Sequence, residues 1–307
     1  MKNFSKAVAL LLLLALGCTF ALAAPDSSGT AVCPIAENLE LTTYRGVSVG
    51  GRLSAVDPDG QAVVYEICTP PVKGSIELGE GGEFIYTPNE GRRGKDYFGY
   101  RAIDEDGNCS QEATVIIRIL KQKTKVTYSD TRGRACGYAA ALLAENGIFT
   151  GEMLAGEYVF SPNAAVSRSE FLMMCMTGAG MDADGSLTTG FSDDELIAAW
   201  ARPYAAAALR AGIVNGYPSS AGAAVFMPDE PVTAAEAAVM LDRTFCLTDA
   251  VSVWSSRVSQ VPAWAVQSVA NLYGCGLAPR GMQLSQQLTR AEAAQLLAGA
   301  MELASRR

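Results

Sequence analysis

The chain has 307 residues, 49% hydrophobic and 18% charged, with 24 Lys plus Arg against 32 Asp plus Glu and a formal charge of −8. That composition describes a globular chain with room for about two domains, and it lacks the basic face that a nucleic-acid partner requires. Histidine is absent, which removes the commonest general base and metal ligand and argues against an enzyme.

The chain opens with a basic stretch, Met1 to Lys6, followed by an apolar run from Ala7 to Leu16 and the small-x-small triplet Ala21-Leu22-Ala23. This order predicts a secretory signal peptide over residues 1–23. A rival lipoprotein site at Cys18 lacks the expected Leu three residues before it. No later apolar run reaches the ~18 residues of a membrane span, so no transmembrane helix is expected in the mature chain.

Residues 31–120 read as β-structure. Strand patterns run over 62–67, 74–78, 83–88, 97–102 and 113–119. Turn signals separate them, such as Asp57-Pro58-Asp59-Gly60 and Asp104-Glu105-Asp106-Gly107. Short strands at this spacing predict a sandwich. These turns, with Pro71-Val72-Lys73-Gly74-Ser75-Ile76, Phe84-Ile85-Tyr86-Thr87-Pro88 and Gly94-Lys95-Asp96-Tyr97-Phe98-Gly99-Tyr100, resemble the cadherin-like or Ig-like repeats of bacterial surface proteins. The resemblance implies a spacer or adhesive module, and in some relatives calcium binding. Asp57, Asp59, Asp104 and Asp106 are the calcium candidates. Four side chains fall short of the six or more oxygens calcium takes, so ordinary Asp turn chemistry is the favoured reading.

Residues 121–127 are polar and basic and read as a solvated hinge. Of eight cysteines, seven follow the leader: Cys33, Cys68, Cys109, Cys136, Cys175, Cys246 and Cys275. Disulfides are permitted outside the cell, and Cys136 with Cys175 is the favoured pair.

From Tyr128 the chain is alanine-rich and repetitive. Val166-Ser167-Arg168-Ser169-Glu170, Val232-Thr233-Ala234-Ala235-Glu236 and Leu288-Thr289-Arg290-Ala291-Glu292 are three versions of one helix start. In each, the Ser or Thr accepts from the N–H three residues on, and the Glu there reaches back to the cap's own N–H. An earlier helix precedes each, over 138–146, 200–211 and 264–275, and ends at Gly147, Gly212 or Gly276. These glycines recur at intervals of about 65 residues, the mark of a repeat.

The ordered phrases Phe191-Ser192-Asp193, Trp200-Ala201, Gly212-Ile213-Val214-Asn215-Gly216-Tyr217, Phe226-Met227-Pro228-Asp229 and Val232-Thr233-Ala234-Ala235-Glu236 are similar to the S-layer homology (SLH) domain. Diverged versions fill residues 128–190 and 251–307 on either side of 191–250. The resemblance implies three SLH helix-loop-helix repeats in an all-α pseudo-threefold assembly. Such assemblies bind secondary cell-wall polysaccharide, often pyruvylated, and hold a secreted protein on a Gram-positive-type wall. A planar Arg pairs with a carboxylate through two parallel hydrogen bonds, and a Trp stacks on a sugar face. The polymer-binding candidates are therefore Arg168, Arg290, Trp200, Trp264, Ser129, Asp130, Ser192, Asp193, Asn215 and Gly216. Arg168 and Arg290 sit where a cation opposes the helix dipole, which implies a carboxylate partner in a ligand or in the protein. Trp200 and Trp264 read equally as core anchors or sugar platforms. Ser129, Asp130, Ser192 and Asp193 read first as helix caps.

No unit is complete. Ala234 replaces Arg in the second, Ala135 replaces Trp in the first, and Ser256 replaces Asp in the third. The leading reading is a non-enzymatic, wall-anchored surface protein that displays a β-sandwich. The alternative is an adhesin whose sandwich binds a protein or glycan while the helical repeats are structural. Asp193-Asp194-Glu195 could be imagined as catalytic acids, but acidic residues at a helix start are ordinary dipole chemistry. No nucleophile elbow, P-loop or metal-ligand spacing is present.

Overall fold

The structure is a computed structural model and describes residues 32–183, 185–219, 222–247, 261–279 and 281–306. The signal peptide, Cys18, and the Trp254-Ser255-Ser256 phrase lie outside the described residues.

The first half is β1 (Ile35–Ala36), β2 (Leu39–Tyr44), β3 (Val49–Arg52), β4 (Ala55–Val56), β5 (Val64–Thr69), β6 (Gly74–Leu78), β7 (Glu83–Pro88), β8 (Gly94–Ile103) and β9 (Ala113–Leu120). One sheet has the order β2-β9-β8-β5 and another β3-β7-β6, while β1 pairs with β4. β2 runs parallel to β9, and the other neighbours are antiparallel. The alternation in β9 places Ala113, Val115, Ile117 and Ile119 inside. There they meet Val49, Phe84 and Tyr86 of the opposite sheet. This packing of two inner faces is what a sandwich requires. Buried Asp96 pins the β5–β6 corner, accepting from Val72 N, Lys73 N and the Tyr86 hydroxyl at 3.1, 2.8 and 2.7 Å.

Residues 121–127 are not a solvated hinge. Val126 is buried. The Glu145 carboxylate accepts from Lys123 N at 2.7 Å, Thr124 N at 2.8 Å and the Thr124 hydroxyl. The basic composition concealed this clasp because the partner is a single acid twenty residues away in sequence.

The second half holds α1 (Gly137–Glu145), β10 (Glu152–Leu154), β11 (Glu157–Val159), α2 (Arg168–Gly178), α3 (Arg202–Arg210), β12 (Tyr217–Pro218), β13 (Ala224–Val225), α4 (Ala234–Phe245), α5 (Val266–Gly274) and α6 (Arg290–Ser305). It is helical but not all-α. Antiparallel hairpins β10–β11 and β12–β13 link the helices of the first two units.

All three capping boxes form, at Ser167/Glu170, Thr233/Glu236 and Thr289/Glu292. Gly147, Gly212 and Gly276 have φ of 67°, 71° and 71°. The residue after each donates back into the helix: Ile148 N to Leu143 O, Ile213 N to Ala208 O, and Leu277 N to Leu272 O, at 2.9–3.0 Å. These are Schellman stops.

The helices interlock in a cycle. α2, α4 and α6 touch one another at the centre, while α1 packs on α6, α3 on α2 and α5 on α4. Each outer helix thus rests on the capped helix of a neighbouring unit. Three buried residues close the ring by backbone hydrogen bonds: Val166 N to Leu288 O at 3.3 Å, Val232 N to Val166 O at 2.9 Å, and Leu288 N to Val232 O at 2.9 Å. Phe160, Phe171, Phe226, Leu143, Leu172, Met174 and Met176 fill the shared core.

The two halves touch through the segment 44–50. Gly50 N donates to Ala135 O at 3.2 Å, and Gly133 N to Ser48 Oγ at 2.8 Å. The rings of Tyr44 and Tyr138 lie 5.7 Å apart, and Val47 packs with Ala141. The expected Cys136–Cys175 disulfide is not formed. Both are free thiols, as are Cys33, Cys68 and Cys109. Cys136 lies just before α1, near the sandwich contact, while Cys175 is wholly enclosed by the helical core, where burial alone pushes its thiol up.

Candidate functional site

Ring closure creates three pseudo-equivalent seams, each between a capped helix start and the loop of another unit. At α2, Arg168 N donates to Glu230 O and Ser169 N to Pro228 O, at 2.9 and 3.1 Å. At α6, Arg290 N donates to Ala164 O and Ala291 N to Pro162 O, at 2.7 and 2.9 Å. At α4, Ala234 N donates to Gln286 O and Ala235 N to Leu284 O, at 2.9 and 3.0 Å.

Arg168 is 5% exposed. Its Nε donates to Phe226 O at 2.9 Å and a terminal nitrogen donates to the Tyr217 hydroxyl at 3.3 Å. That same nitrogen is 3.2 Å from the Glu236 carboxylate, and the guanidinium carbon lies 4.8 Å from the Tyr217 ring centre. Burial pulls its pKa down, against the upward pull of Glu236 and Asp193. The carboxylate that pairs with the guanidinium is therefore the capping Glu of the second unit, not Glu170 of its own helix.

Arg290 is 8% exposed, donates to Phe160 O at 2.8 Å and lies 4.9 Å from the Phe149 ring centre. Both arginines thus join neighbouring units as well as lining a seam. In the third seam Ala234 leaves a cavity of about 190 Å³ beside Met282, Gln286, Leu288 and Glu292.

The Ser-Asp pairs do not cap helices. Asp130 accepts from Phe160 N and Ser161 N at 2.9 and 2.7 Å. Asp193 accepts from Phe226 N and Met227 N at 2.8 Å each. The carboxylate gathers two consecutive amides where the chain turns left-handed, at Ser161 (φ 56°) and Met227 (φ 57°). The aromatic residue two before each Asp packs on the same loop, Tyr128 on Phe160 and Phe191 on Phe226. Ser129 and Ser192 donate through their amides to Tyr158 O and Ala224 O at 3.1 and 2.9 Å, fixing the hairpins. Asp194 turns instead to the Thr189 amide and hydroxyl, whose hydrogen bonds hold its carboxyl below the usual range. Asp193, Asp194 and Glu195 therefore form no acid pair.

Trp200 and Trp264 are 50% and 54% exposed, so neither is a core anchor. Asn215 is exposed. Gly216 (φ 71°) is structural, since a Cβ there would lie 2.7 Å from both the Phe191 ring and Val225 O.

Asp57 and Asp104 serve their own turns, while Asp106 reaches across to the other turn. Asp57 accepts from Asp59 N and Gln61 N, Asp104 from Asn108 N and Nδ2, and Asp106 from Gln61 Nε2. Among the described residues no group of three or more His, Cys, Asp or Glu side chains is placed to hold a metal.

Residues 32–118 match the family model described as a bacterial Ig domain, and residues 190–238 match that of the S-layer homology domain. The chain thus carries a bacterial Ig domain followed by an SLH domain. It is 30% identical over 144 residues to the surface-layer 125 kDa protein of Lysinibacillus sphaericus, a match spanning 46% of this chain and 12% of that protein. Among solved structures, the SrpA adhesin of Streptococcus sanguinis aligns over 39% of this chain and 79% of its own, with 20% identity and a TM-score of 0.26. Fibronectin(III)-like modules of Clostridium thermocellum CbhA align over 33% and 53%, with 18% identity and a TM-score of 0.22.

Proposed function

We propose that the chain is a cell-surface protein held on the wall by its helical half, with residues 128–190, 191–250 and 251–307 acting as three SLH units and residues 31–120 displayed as an Ig-like module. The observation that carries this reading is the ring of three capped helix starts, the second of which lies within the residues matched by the S-layer homology model. On its surface the exposed rings of Trp200 and Trp264 and exposed Asn215 supply aromatic faces and hydrogen bonds. A saccharide is held by these same kinds of contact. The ligand is secondary cell-wall polysaccharide, with a ketal-linked pyruvate as the carboxylate. No helix among the described residues is long and apolar enough to cross a membrane. Signal-peptide export and non-covalent wall binding supply retention on a Gram-positive-type envelope. Both families matched are non-enzymatic.

The test is sedimentation of the purified chain with isolated walls, before and after chemical removal of the secondary polymer. Binding to intact walls and loss on stripping are expected. A chain that stays in the supernatant with intact walls refutes the anchor.

A further inference from the structure

We infer that the outer edge of β6 is a self-association site, through which two copies of the chain join their sheets about a two-fold axis at Ile76. This edge belongs to the Ig-like module and acts independently of wall binding by the helical half.

The two sheets end in four edge strands, β2 and β5 in one, β3 and β6 in the other. An exposed edge is a template for a further strand. Three of the four are covered or broken. α1 packs against β2 and β3. On the free side of β3, Gly50 N donates to Ala135 O. The approach there is close: a Cβ on Gly50 would lie 2.5 Å from Ala135 Cβ, and one on Gly137 would lie 2.7 Å from Ser48 O. β5 shifts register between Ile67 and Thr69 and leaves Cys68 as a bulge, a distortion that resists a new neighbour. β6 pairs regularly with β7 from Gly74 to Leu78 and has no second strand beside it among the described residues. It carries no Lys, Pro or bulge.

The register of β6 fixes which backbone groups are spare. Asn89 N donates to Lys73 O at 2.8 Å, and Gly79 N to Glu83 O at 2.7 Å. Antiparallel ladders alternate bonded and non-bonded pairs, so Ser75 and Glu77, opposite Thr87 and Ile85, also bond to β7. The N–H and C=O groups of Gly74, Ile76 and Leu78 therefore point away from it. This set is self-complementary. About a two-fold axis at Ile76, that residue faces Ile76 of the second copy, and Gly74 faces Leu78 of the second copy. Every spare amide then meets a spare carbonyl, and one patch serves both sides of the interface. Leu78, 38% exposed, comes to lie over Gly74 of the second copy, where no side chain stands because a Cβ would lie 2.4 Å from the Tyr86 ring. Exposed Ser75 faces exposed Glu77 of the second copy, hydroxyl to carboxylate, and the two Glu77 side chains are not opposed. An unrelated strand has no reason to supply this match; a second copy supplies it by symmetry.

The experiment is sedimentation velocity of the purified chain in reducing buffer, so that exposed thiols add no cross-link. The parent should pass from monomer to dimer as its concentration rises towards about 1 mM. Leu78→Lys, checked for folding by its melting curve, should weaken association by about tenfold or more, because the charge enters the edge twice per dimer. A second measurement reads the register. Opposed residues of a non-hydrogen-bonded pair lie about 4.5 Å apart at Cα, within disulfide reach. Ser75→Cys and Glu77→Cys chains, mixed and then oxidised, should therefore yield a bridge between positions 75 and 77, located by peptide mass spectrometry and absent from either chain alone. A parent that stays monomeric at about 1 mM, a dimer untouched by a folded Leu78→Lys, or a mixture without that bridge would each overturn the assignment. Each of these results would leave the anchor reading standing.

Discussion

Asp130 and Asp193 show how a residue's type can be legible and its task hidden. An Asp after Ser suggests a local cap, because local side-chain-to-backbone bonds are the commonest use of Asp. The structure instead aims each carboxylate across some thirty residues, at two amides of a left-handed turn. Such a turn is costly for a non-Gly residue, and charge-assisted bonds to both N–H groups offset that cost. Asp193→Ala should therefore destabilise the helical half by about 2–3 kcal/mol, with Asp193→Asn intermediate, read from denaturant midpoints. An effect under about 0.5 kcal/mol would show that the loop holds itself. Thr289→Ala should cost about 1 kcal/mol by removing one cap bond. The capping boxes were legible because both of their bonds stay within four residues. The seating of Arg168 on Glu236 was not, because its partner belongs to another unit.

At the scale of elements, β6 and β7 appear at the residues where the alternation places them, and β9 extends one residue further. β2 and β3 carried weak signals. Leu39–Tyr44 has two adjacent threonines, and Val49–Arg52 has two glycines. The hairpins between helices escaped notice because strands of two or three residues have no period to detect. The clasp on residues 123–124 makes a pH prediction. Burial pushes the Glu145 carboxyl up, but hydrogen bonds from Thr124 and Lys123 outweigh it and leave it below its usual value. A depressed acid adds stability that is complete above the unfolded carboxyl range, near about 4.3, and is lost as pH falls through the lower folded value. Acid should free residues 123–124 first, and Glu145→Gln should weaken the clasp already at neutral pH. Carboxyl titration by NMR tests this; a Glu145 midpoint at or above that of a free glutamate would contradict it.

The whole molecule is a cycle joined to a sandwich. Because every outer helix rests on a neighbouring unit's capped helix, no unit has a core of its own. Removing residues 290–306 should therefore strip α1 of its support and abolish cooperative unfolding of the entire helical half, measured by circular dichroism. The sandwich contact yields a separate expectation. Ala135→Trp restores the side chain carried by the other two units, and it would meet Gly50 head-on. The parent should melt in one calorimetric transition, while the variant should show two and a larger radius of gyration in X-ray scattering. A single unchanged transition in the variant would mean that segment 44–50 yields without undocking.

The sequence by itself determined what local bonds and periodicity control: the strand alternation, the three capped helix starts, the glycine stops and their repetition. Those features need only neighbours a few residues away. Tertiary structure alone decided how the repeats close, which unit seats Arg168 and Arg290, that Trp200 and Trp264 face solvent, and that residues 121–127 are clasped rather than free. It also gave the departures in the repeat a physical cause. Ala135 and Gly137 are small because backbone from the sandwich occupies their space, and such a contact between segments some eighty-five residues apart leaves no mark in any local pattern.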